Sequence, residues 1–341
     1  MYKLTRQDTA VMKGIAICAM LFHHLYGFPP EGVEPYTGLL AWIGAFGKIC
    51  VALFLFCSGY GLAANFSPGS IRDDIQFIGR RLIKFYLNYW IIFIIFVPIT
   101  IFVFHRPLSA AYGENDVGWH LVFDIFGLQG WQSYNITWWF NTLIIILYLL
   151  FPLLYRAIRW KPWVALLVGM VMMRLSTRVP FDTLDVCIYQ FPFILGVVWK
   201  FYENKGPRVQ QWLAVHTVVA IGISICLLII SVIIRMYPII PHWSGMRIDG
   251  FVACAIALFV ITILRRSCRI MSAFAFLGKH SMNIYMTHTF FISFWCAEWL
   301  NNCQLMRGGM NVVVLLIICL VISLVLEYVK EKIGLYRFVK R

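Results

Sequence analysis

The sequence is poor in charge. Only 13% of its 341 residues are Asp, Glu, Lys or Arg, whereas a soluble domain carries about 25%. Hydrophobic residues make up 61% of the chain, and the mean hydropathy is +0.78. This scarcity excludes a soluble globular protein and indicates an integral membrane protein. No stretch is polar enough for a separate soluble domain, so we expect a single transmembrane domain over residues 1–341.

Acidic residues are especially few, because 15 Asp and Glu stand against 29 Lys and Arg, a net charge of +14. The basic residues form small clusters between hydrophobic runs, which argues against nucleic-acid binding and is typical of positive-inside topology. The runs predict an all-α polytopic fold of about ten transmembrane helices, with both termini cytoplasmic. The predicted spans are approximately 12–28, 41–64, 85–104, 137–155, 162–179, 186–202, 212–234, 248–264, 281–300 and 311–329.

Signals for metal binding, cleavage and duplication are also lacking. The ten cysteines are scattered, and no CxxC or Cys/His cluster has metal-ligand spacing, so we expect no metal site. No small-residue cleavage site follows the first hydrophobic run, so we do not expect a removable signal. No internal repeat is visible, which disfavours a transporter built from matched halves.

What the sequence does contain is a cation and an imidazole on its first hydrophobic run. Lys13 and His24 are eleven residues apart, which on an α-helix places them within about 20° of each other and roughly 16 Å apart along the axis. His23 lies about 80° away from that stripe. Because ionisable groups in membranes are costly, and imidazole is the natural general base near neutral pH, His24 is the candidate catalytic residue.

Two further sets lie near the predicted cytoplasmic boundary. Arg80, Arg81 and Lys84 are three and four residues apart and form one cationic patch on a helix. The patch suits the phosphates of a nucleotide cofactor, although ordinary positive-inside charge explains it equally. Ser58 is followed by Gly59 and Gly61, a run that suits either a ligand site or tight helix packing.

Polar residues also mark two later spans. Trp138 and Asn141 are three residues apart and share a helix face; an aromatic belt accounts for the tryptophan but not for the amide. Ser281, Tyr285 and His288 form one polar stripe on an otherwise apolar helix. This stripe should face the protein interior, because lipid exposure would be costly. Hydrogen bonds that join two helices are the alternative to a reactive site.

At these residues the chain resembles the acyltransferase 3 family of membrane acyltransferases. The family's signature of a basic residue, ten residues and a histidine matches Lys13 and His24. FLFCSGYGL is similar to its Ser-Gly motif, RRLIKFYLNYW to its Arg-rich segment, and TWWFNTLIIILYLLFPLL to its Trp-containing span. FPFILGVVWKF and FLGKHSMNIYMTH match two later segments in kind and order. Lysine replaces the commoner arginine at Lys13 and Lys84, which removes the planar fork of a bidentate contact.

The resemblance implies an O-acyltransferase of the plasma or inner membrane. It would move an acyl group, usually acetyl from cytoplasmic acetyl-CoA, to a hydroxyl of an extracytoplasmic cell-surface glycan or related acceptor. Acetyl-CoA would be a co-substrate, and no metal is implied. No esterase-like domain follows the membrane domain in this sequence, so a second extracytoplasmic transfer would be expected to need another protein.

The resemblance also assigns roles to the residues singled out above. His24 would be the general base on the acceptor hydroxyl or would itself carry the acyl group. The coenzyme diphosphate would bind at Lys13, Arg80, Arg81 and Lys84. The residues expected to orient His24 or polarise the thioester carbonyl are Ser58, Trp138, Asn141, Tyr285 and His288.

Two other functions are compatible with the same residues. A proton-coupled small-molecule transporter would use His24 and His288 as relays, and a receptor or scaffold would use the basic residues for topology alone. The acceptor stays open among peptidoglycan, capsule, lipopolysaccharide, teichoic acid and small secreted molecules. The sequence does not determine whether the transferred acyl group is acetyl or succinyl. It also gives no indication of the oligomeric state.

Overall fold

The structure is a computed structural model, and it describes residues 3–28, 35–176, 186–205, 211–212, 215–237, 239, 245–302 and 309–335. Over these residues the chain is helical and contains no strand, which confirms the all-α class. The α-helices are α1 Arg6–Phe22, α2 Gly38–Gly47, α3 Cys50–Asn65, α4 Ile71–Phe102, α5 Ser109–Tyr112, α6 Val117–Ile125, α7 Trp139–Trp160, α8 Pro162–Leu175, α9 Val186–Lys205, α10 Thr217–Met236, α11 Asp249–Thr262, α12 Cys268–Lys279, α13 Ser281–Phe290, α14 Ala297–Asn302 and α15 Met310–Lys332.

A helix occupies each of the ten segments predicted as spans, and six helical stretches in the described residues are long and apolar enough to cross a membrane. Those six are Arg6–Gly27, Gly38–Asn65, Ile71–Phe102, Ile136–Trp160, Thr217–Met236 and Met310–Lys332. Helix α8 is apolar but shorter. The chain is therefore a multi-pass membrane protein, while the number ten and the cytoplasmic placement of the termini stay predictions.

Helix α4 begins fourteen residues before the predicted span. Its N-cap is Ser70, whose hydroxyl accepts a hydrogen bond from the backbone N–H of Asp73, while the Asp73 carboxylate accepts from the backbone N–H of Ser70. This capping box satisfies two N–H groups that the first turn leaves without partners. The helix consequently extends through the polar segment that carries Arg80, Arg81 and Lys84 before it becomes apolar.

The chain forms two compact units. Unit 1 comprises Met1–Met20, Phe46–Pro68 and Leu150–Lys279. Within it, α3 and α9 pack with backbones in close approach: a Cβ on Gly59 would overlap the carbonyl of Phe193, and one on Gly196 would overlap that of Phe56. Only glycine permits that approach.

Unit 2 comprises Leu21–Ala45, Gly69–Leu149 and His280–Arg341. Its core is aromatic: the ring of Trp138 lies 5.0 Å from that of Tyr89, 5.6 Å from Phe93 and 5.7 Å from Phe290, centroid to centroid. Trp138 is completely buried. These contacts join α4, α13 and the turn before α7 in the core of unit 2.

Candidate functional site

His24 lies in a π-helical turn, His23–Gly27, that continues α1. The side chain is half-buried and lines a cavity of about 680 Å³ within unit 2. A π turn has i→i+5 hydrogen bonds, so a rotation of 100° per residue does not apply from His23 onward. The α-helical angle applies from Lys13 only as far as Phe22, and the alignment of Lys13 with His24 stays a prediction.

The two adjacent histidines have different surroundings. His23 places its Nδ1 2.9 Å from the carbonyl oxygen of Gly44, and because a carbonyl can only accept, the imidazole donates. The His24 ring instead lies 4.9 Å from the ring of His288, centroid to centroid. The structure thus brings together the two histidines that the sequence singled out, beside a cavity.

His288 is completely buried on α13, and backbone carbonyls fix its tautomer. Its Nδ1 lies 2.8 Å from the carbonyl oxygen of Tyr285 and 3.2 Å from that of Ile284, so Nδ1 carries the proton. Nε2 is then the acceptor of the neutral ring, and the Thr289 hydroxyl lies 3.2 Å from it. A neutral His288 can therefore take up a proton at Nε2.

Hydroxyl groups continue from His288 toward α7. Thr289 Oγ1 is 3.0 Å from Thr137 Oγ1, and the Thr137 hydroxyl donates to Asn135 Oδ1 at 2.7 Å. Thr289 also lines the cavity with His24. Because Thr137 gives its one hydroxyl proton to Asn135, the Thr289 hydroxyl donates to Thr137 and lies beside His288 Nε2 without donating to it. Hydroxyl contacts therefore extend from the buried imidazole to the start of the fourth predicted span.

Of the five residues expected to support the site, all but Ser58 lie in one cluster in unit 2. The Tyr285 hydroxyl donates to the carbonyl of Thr137 at 2.8 Å and lies 3.2 Å from Asn141 Oδ1. Trp138 donates its indole N–H to the carbonyl of Met286 at 3.1 Å. The aromatic-belt interpretation is wrong for Trp138, because this side chain is 0% exposed.

The cationic patch lies on the first half of α4. Arg80 and Lys84 are exposed, and Arg81 is half-buried with its guanidinium 5.5 Å from the Phe77 ring centroid. Among the described residues, none of the three forms an ion pair with an acidic side chain. The patch therefore presents unneutralised charge at the end of α4 opposite to Phe102.

Lys13 and Ser58 both belong to unit 1, on α1 and α3 respectively. Each is half-buried. The neighbouring Gly59 is explained by the close approach of α3 and α9, as tight helix packing predicts. That contact accounts for Gly59 of the Ser-Gly motif without a ligand; it leaves the role of the Ser58 hydroxyl a prediction.

Sequence reasoning missed four residues of unit 2 that surround this region. In the sequence, Arg106 and Lys330 are ordinary cations at the ends of hydrophobic runs, although Lys330 is completely buried. Thr289 follows His288 directly, which is a signal that could have been used. Asp124 lies in an aromatic connection where nothing in the local pattern marks it.

Asp124 holds the connection between α4 and α7 together. Its Oδ2 accepts hydrogen bonds from the Tyr112 hydroxyl at 2.7 Å and from the backbone N–H of Tyr134 at 2.6 Å. The Tyr89 hydroxyl lies 3.3 Å from its Oδ1. Burial raises the pKa of the Asp124 carboxyl, although these hydrogen bonds oppose the rise. Burial beside this carboxylate likewise raises the pKa of Tyr112.

No three His, Cys, Asp or Glu side chains of the described residues lie close enough together to hold a metal ion. A family model described as an acyltransferase domain matches residues 10–329. No curated protein and no solved structure matches the chain.

Proposed function

The chain belongs to the acyltransferase 3 family and is an acyltransferase, and from this premise we propose that it moves an acetyl group from cytoplasmic acetyl-CoA to a hydroxyl of an extracytoplasmic cell-surface glycan or related acceptor. The family match confirms the resemblance inferred from the motifs. It covers nearly the whole chain, which supports a single catalytic domain over residues 1–341.

One observation carries the proposal of His24 as the reacting base. Its ring lies 4.9 Å from that of His288 and lines a cavity of about 680 Å³, a size that suits a small-molecule substrate. A histidine that served only to join helices would need no cavity beside it. A second imidazole that is neutral and buried next to it can accept a proton or share one.

The chemistry needs one base and one way to stabilise the carbonyl oxygen. The acceptor hydroxyl gives its proton to His24 as its oxygen attacks the thioester carbonyl carbon. The C–O bond forms, the C–S bond breaks, and the departing sulfur takes the proton back to give free coenzyme thiol. Tyr285, Trp138 and Asn141 are the candidates to orient the groups that stabilise the thioester carbonyl oxygen during this attack.

The acetyl-CoA donor would enter from the side of the membrane opposite to the His24 cavity. Arg80, Arg81 and Lys84 lie on the first half of the 32-residue helix α4, while the segment after its other end lines the His24 cavity. Such a helix is about 48 Å long, enough to cross a bilayer. With ten spans and both termini in the cytoplasm, the patch would face the cytoplasm of a plasma or inner membrane, where it would bind the coenzyme phosphates.

Replacement of the proposed base tests this function directly. In purified protein in detergent or liposomes, His24→Ala should lower the rate of thiol release from acetyl-CoA in the presence of acceptor by at least about a hundredfold. His23→Gln is the matched control, because the amide can still donate to the Gly44 carbonyl, and it should keep most of the rate. Undiminished turnover by His24→Ala would contradict the mechanism.

Initial-rate kinetics then separate the two roles of His24. A general base requires donor and acceptor to be bound together, so double-reciprocal plots should intersect. Parallel plots and a burst of thiol without acceptor would instead indicate an acyl-histidine intermediate.

A further inference from the structure

The cavity beside His24 is lined by the guanidinium of Arg106, which has no part in the proposed acyl transfer. Arg106 follows the C-terminal end of α4 and lines the cavity together with His24 and Thr289. We propose that this cavity binds the acceptor and that Arg106 recognises a carboxylate or phosphate on it, so that the acceptor is an anionic glycan or glycoside. This inference rests on the proposed function and names the substrate class of its acceptor site.

Aromatic rings hold the guanidinium by its faces. Its central carbon lies 4.5 Å from the ring centroid of Tyr134 and 4.2 Å from that of Phe294. The Tyr134 hydroxyl donates to the Arg106 carbonyl at 2.8 Å, which fixes the ring against the backbone. Stacking on both rings orients the plane, so the N–H edge of the fork is pre-organised before any ligand arrives.

That edge is mostly unused. Within the described part of the chain, the only polar partner of the guanidinium is Tyr134: Nη1 donates to its carbonyl at 2.8 Å, and the side chain also interacts with its hydroxyl. Asp124, the buried acid of the same connection, accepts from Tyr112 and from Tyr134 instead. Arg106 forms no ion pair with any described acidic residue. A guanidinium has five N–H donors, so enough remain for a bidentate contact with a carboxylate or phosphate.

The charge of the cavity wall points the same way. No described lining residue is acidic, and Arg106 is the single lysine or arginine among them. A cation that faces a cavity without a compensating carboxylate attracts anions into it. The remaining walls suit a sugar, because Trp131 offers a ring face and Ser293 offers a hydroxyl.

Two π-helical turns contribute residues to the lining of the cavity. His23–Gly27 precedes Phe28, and Phe291–Trp295 contains Ser293 and Phe294. Isolated π turns are rare and concentrate at functional sites. Two of them border this cavity, which favours a binding site there.

A pair of matched glycosides tests the proposal without turnover. Methyl glucuronide and methyl glucoside differ in one carboxylate, and glucose 6-phosphate supplies a phosphate. Titration calorimetry on the purified full chain should show the anionic sugars binding about tenfold or more tightly than the neutral one, as expected for charged hydrogen bonds. Equal affinity in the wild-type protein, undetectable binding of all three included, would overturn the proposal even if no variant folds.

Variants then assign the preference to Arg106. Arg106→Gln should remove it, and Arg106→Lys should keep part of it, since lysine retains the charge but not the fork. Arg72→Gln, an exposed arginine at the other end of α4, is the matched control and should keep the full preference. A preference that survives in folded Arg106→Gln would overturn the assignment.

Two further measurements show whether the recognised carboxylate belongs to the acceptor or to the acyl group, and whether this inference or the proposed function has failed. If Arg106→Gln loses succinyl-CoA turnover alone and keeps the preference among sugars, the carboxylate belongs to the acyl group and the acceptor assignment is wrong. Acetyl-CoA binding to the wild-type protein is measured separately. Donor binding without a sugar preference defeats this inference alone; a sugar preference without donor binding defeats the proposed function alone.

Discussion

Lys330 and Arg106 are two cations of unit 2 that resemble each other in charge and differ in how they are satisfied. Each of the three ammonium protons of Lys330 has an acceptor: Asn88 Oδ1 at 2.7 Å, Asn283 Oδ1 at 2.6 Å and Glu327 Oε1 at 3.0 Å. The guanidinium of Arg106, by contrast, contacts only the carbonyl and the hydroxyl of Tyr134 among the described polar groups. Lys330 is completely buried, whereas Arg106 is half-buried at the wall of a cavity.

This difference separates a structural cation from one that is available to a ligand. A buried charge is tolerated when all its hydrogen bonds are made inside the protein, and Lys330 joins α4, α13 and α15 in that way. The guanidinium of Arg106 is positioned by the rings of Tyr134 and Phe294, but no described carboxylate neutralises its charge. Charge alone does not distinguish the two cations; burial and the number of N–H donors already in use do.

The largest expected effect is a loss of stability when Lys330, whose hydrogen bonds are all made, is replaced. Lys330→Met should lower the free energy of unfolding by about 2–4 kcal/mol, because the oxygens of Asn88, Asn283 and Glu327 lose their shared donor. Thermal denaturation in detergent measures the change. Lys332→Met, an exposed lysine of the same helix, should leave the midpoint nearly unchanged, and an equal shift in both variants would show that Lys330 is not a structural centre.

The sequence predicted the helices better than their ends or their interiors. Hydrophobic runs locate all ten segments, because lipid-facing and core-facing positions of such helices are both apolar. Hydropathy could not place the start of α4, since the Ser70–Asp73 capping box lies in a polar stretch. Nor could it foresee the π turns at His23–Gly27 and Phe291–Trp295, which depend on packing around the cavity.

The candidate site was partly predictable for a related reason. An ionisable residue inside an apolar run is costly and so attracts notice, which is how His24 and His288 were found. Lys330 and Arg106 lie at the ends of such runs, where a cation is ordinary. Only the arrangement of neighbouring helices shows that one is completely buried and the other faces a cavity.

A smaller effect should follow from two threonines of α13 that differ in the same way. The Thr287 hydroxyl is satisfied within its own helix by the carbonyl of Asn283 at 2.8 Å. The Thr289 hydroxyl lies between His288 and Thr137 at the cavity. Thr289→Val removes the hydrogen bond to Thr137 and the hydroxyl beside Nε2, and it should lower the rate about tenfold, the loss of one hydrogen bond of roughly 1.4 kcal/mol. Thr287→Val is the control; equal rates in the two variants would exclude a role for the hydroxyl chain.

The smallest effect concerns Asp124, an acid that is satisfied by hydrogen bonds without a cation. Because burial raises its pKa in the folded protein, the native state holds the proton more tightly than the unfolded chain does. Its contribution to stability is then fully present at acidic pH and is lost as pH rises through the ordinary carboxyl range, from about 4 upward. Denaturation midpoints at several pH values should show the wild type losing stability toward neutral pH relative to Asp124→Asn. Asp116→Asn, an exposed acid of the same connection, should run parallel to the wild type. If Asp124→Asn also runs parallel, the hydrogen bonds of Tyr89, Tyr112 and Tyr134 balance the cost of burial, and the carboxylate resembles Lys330 in having all its charge compensated inside the protein.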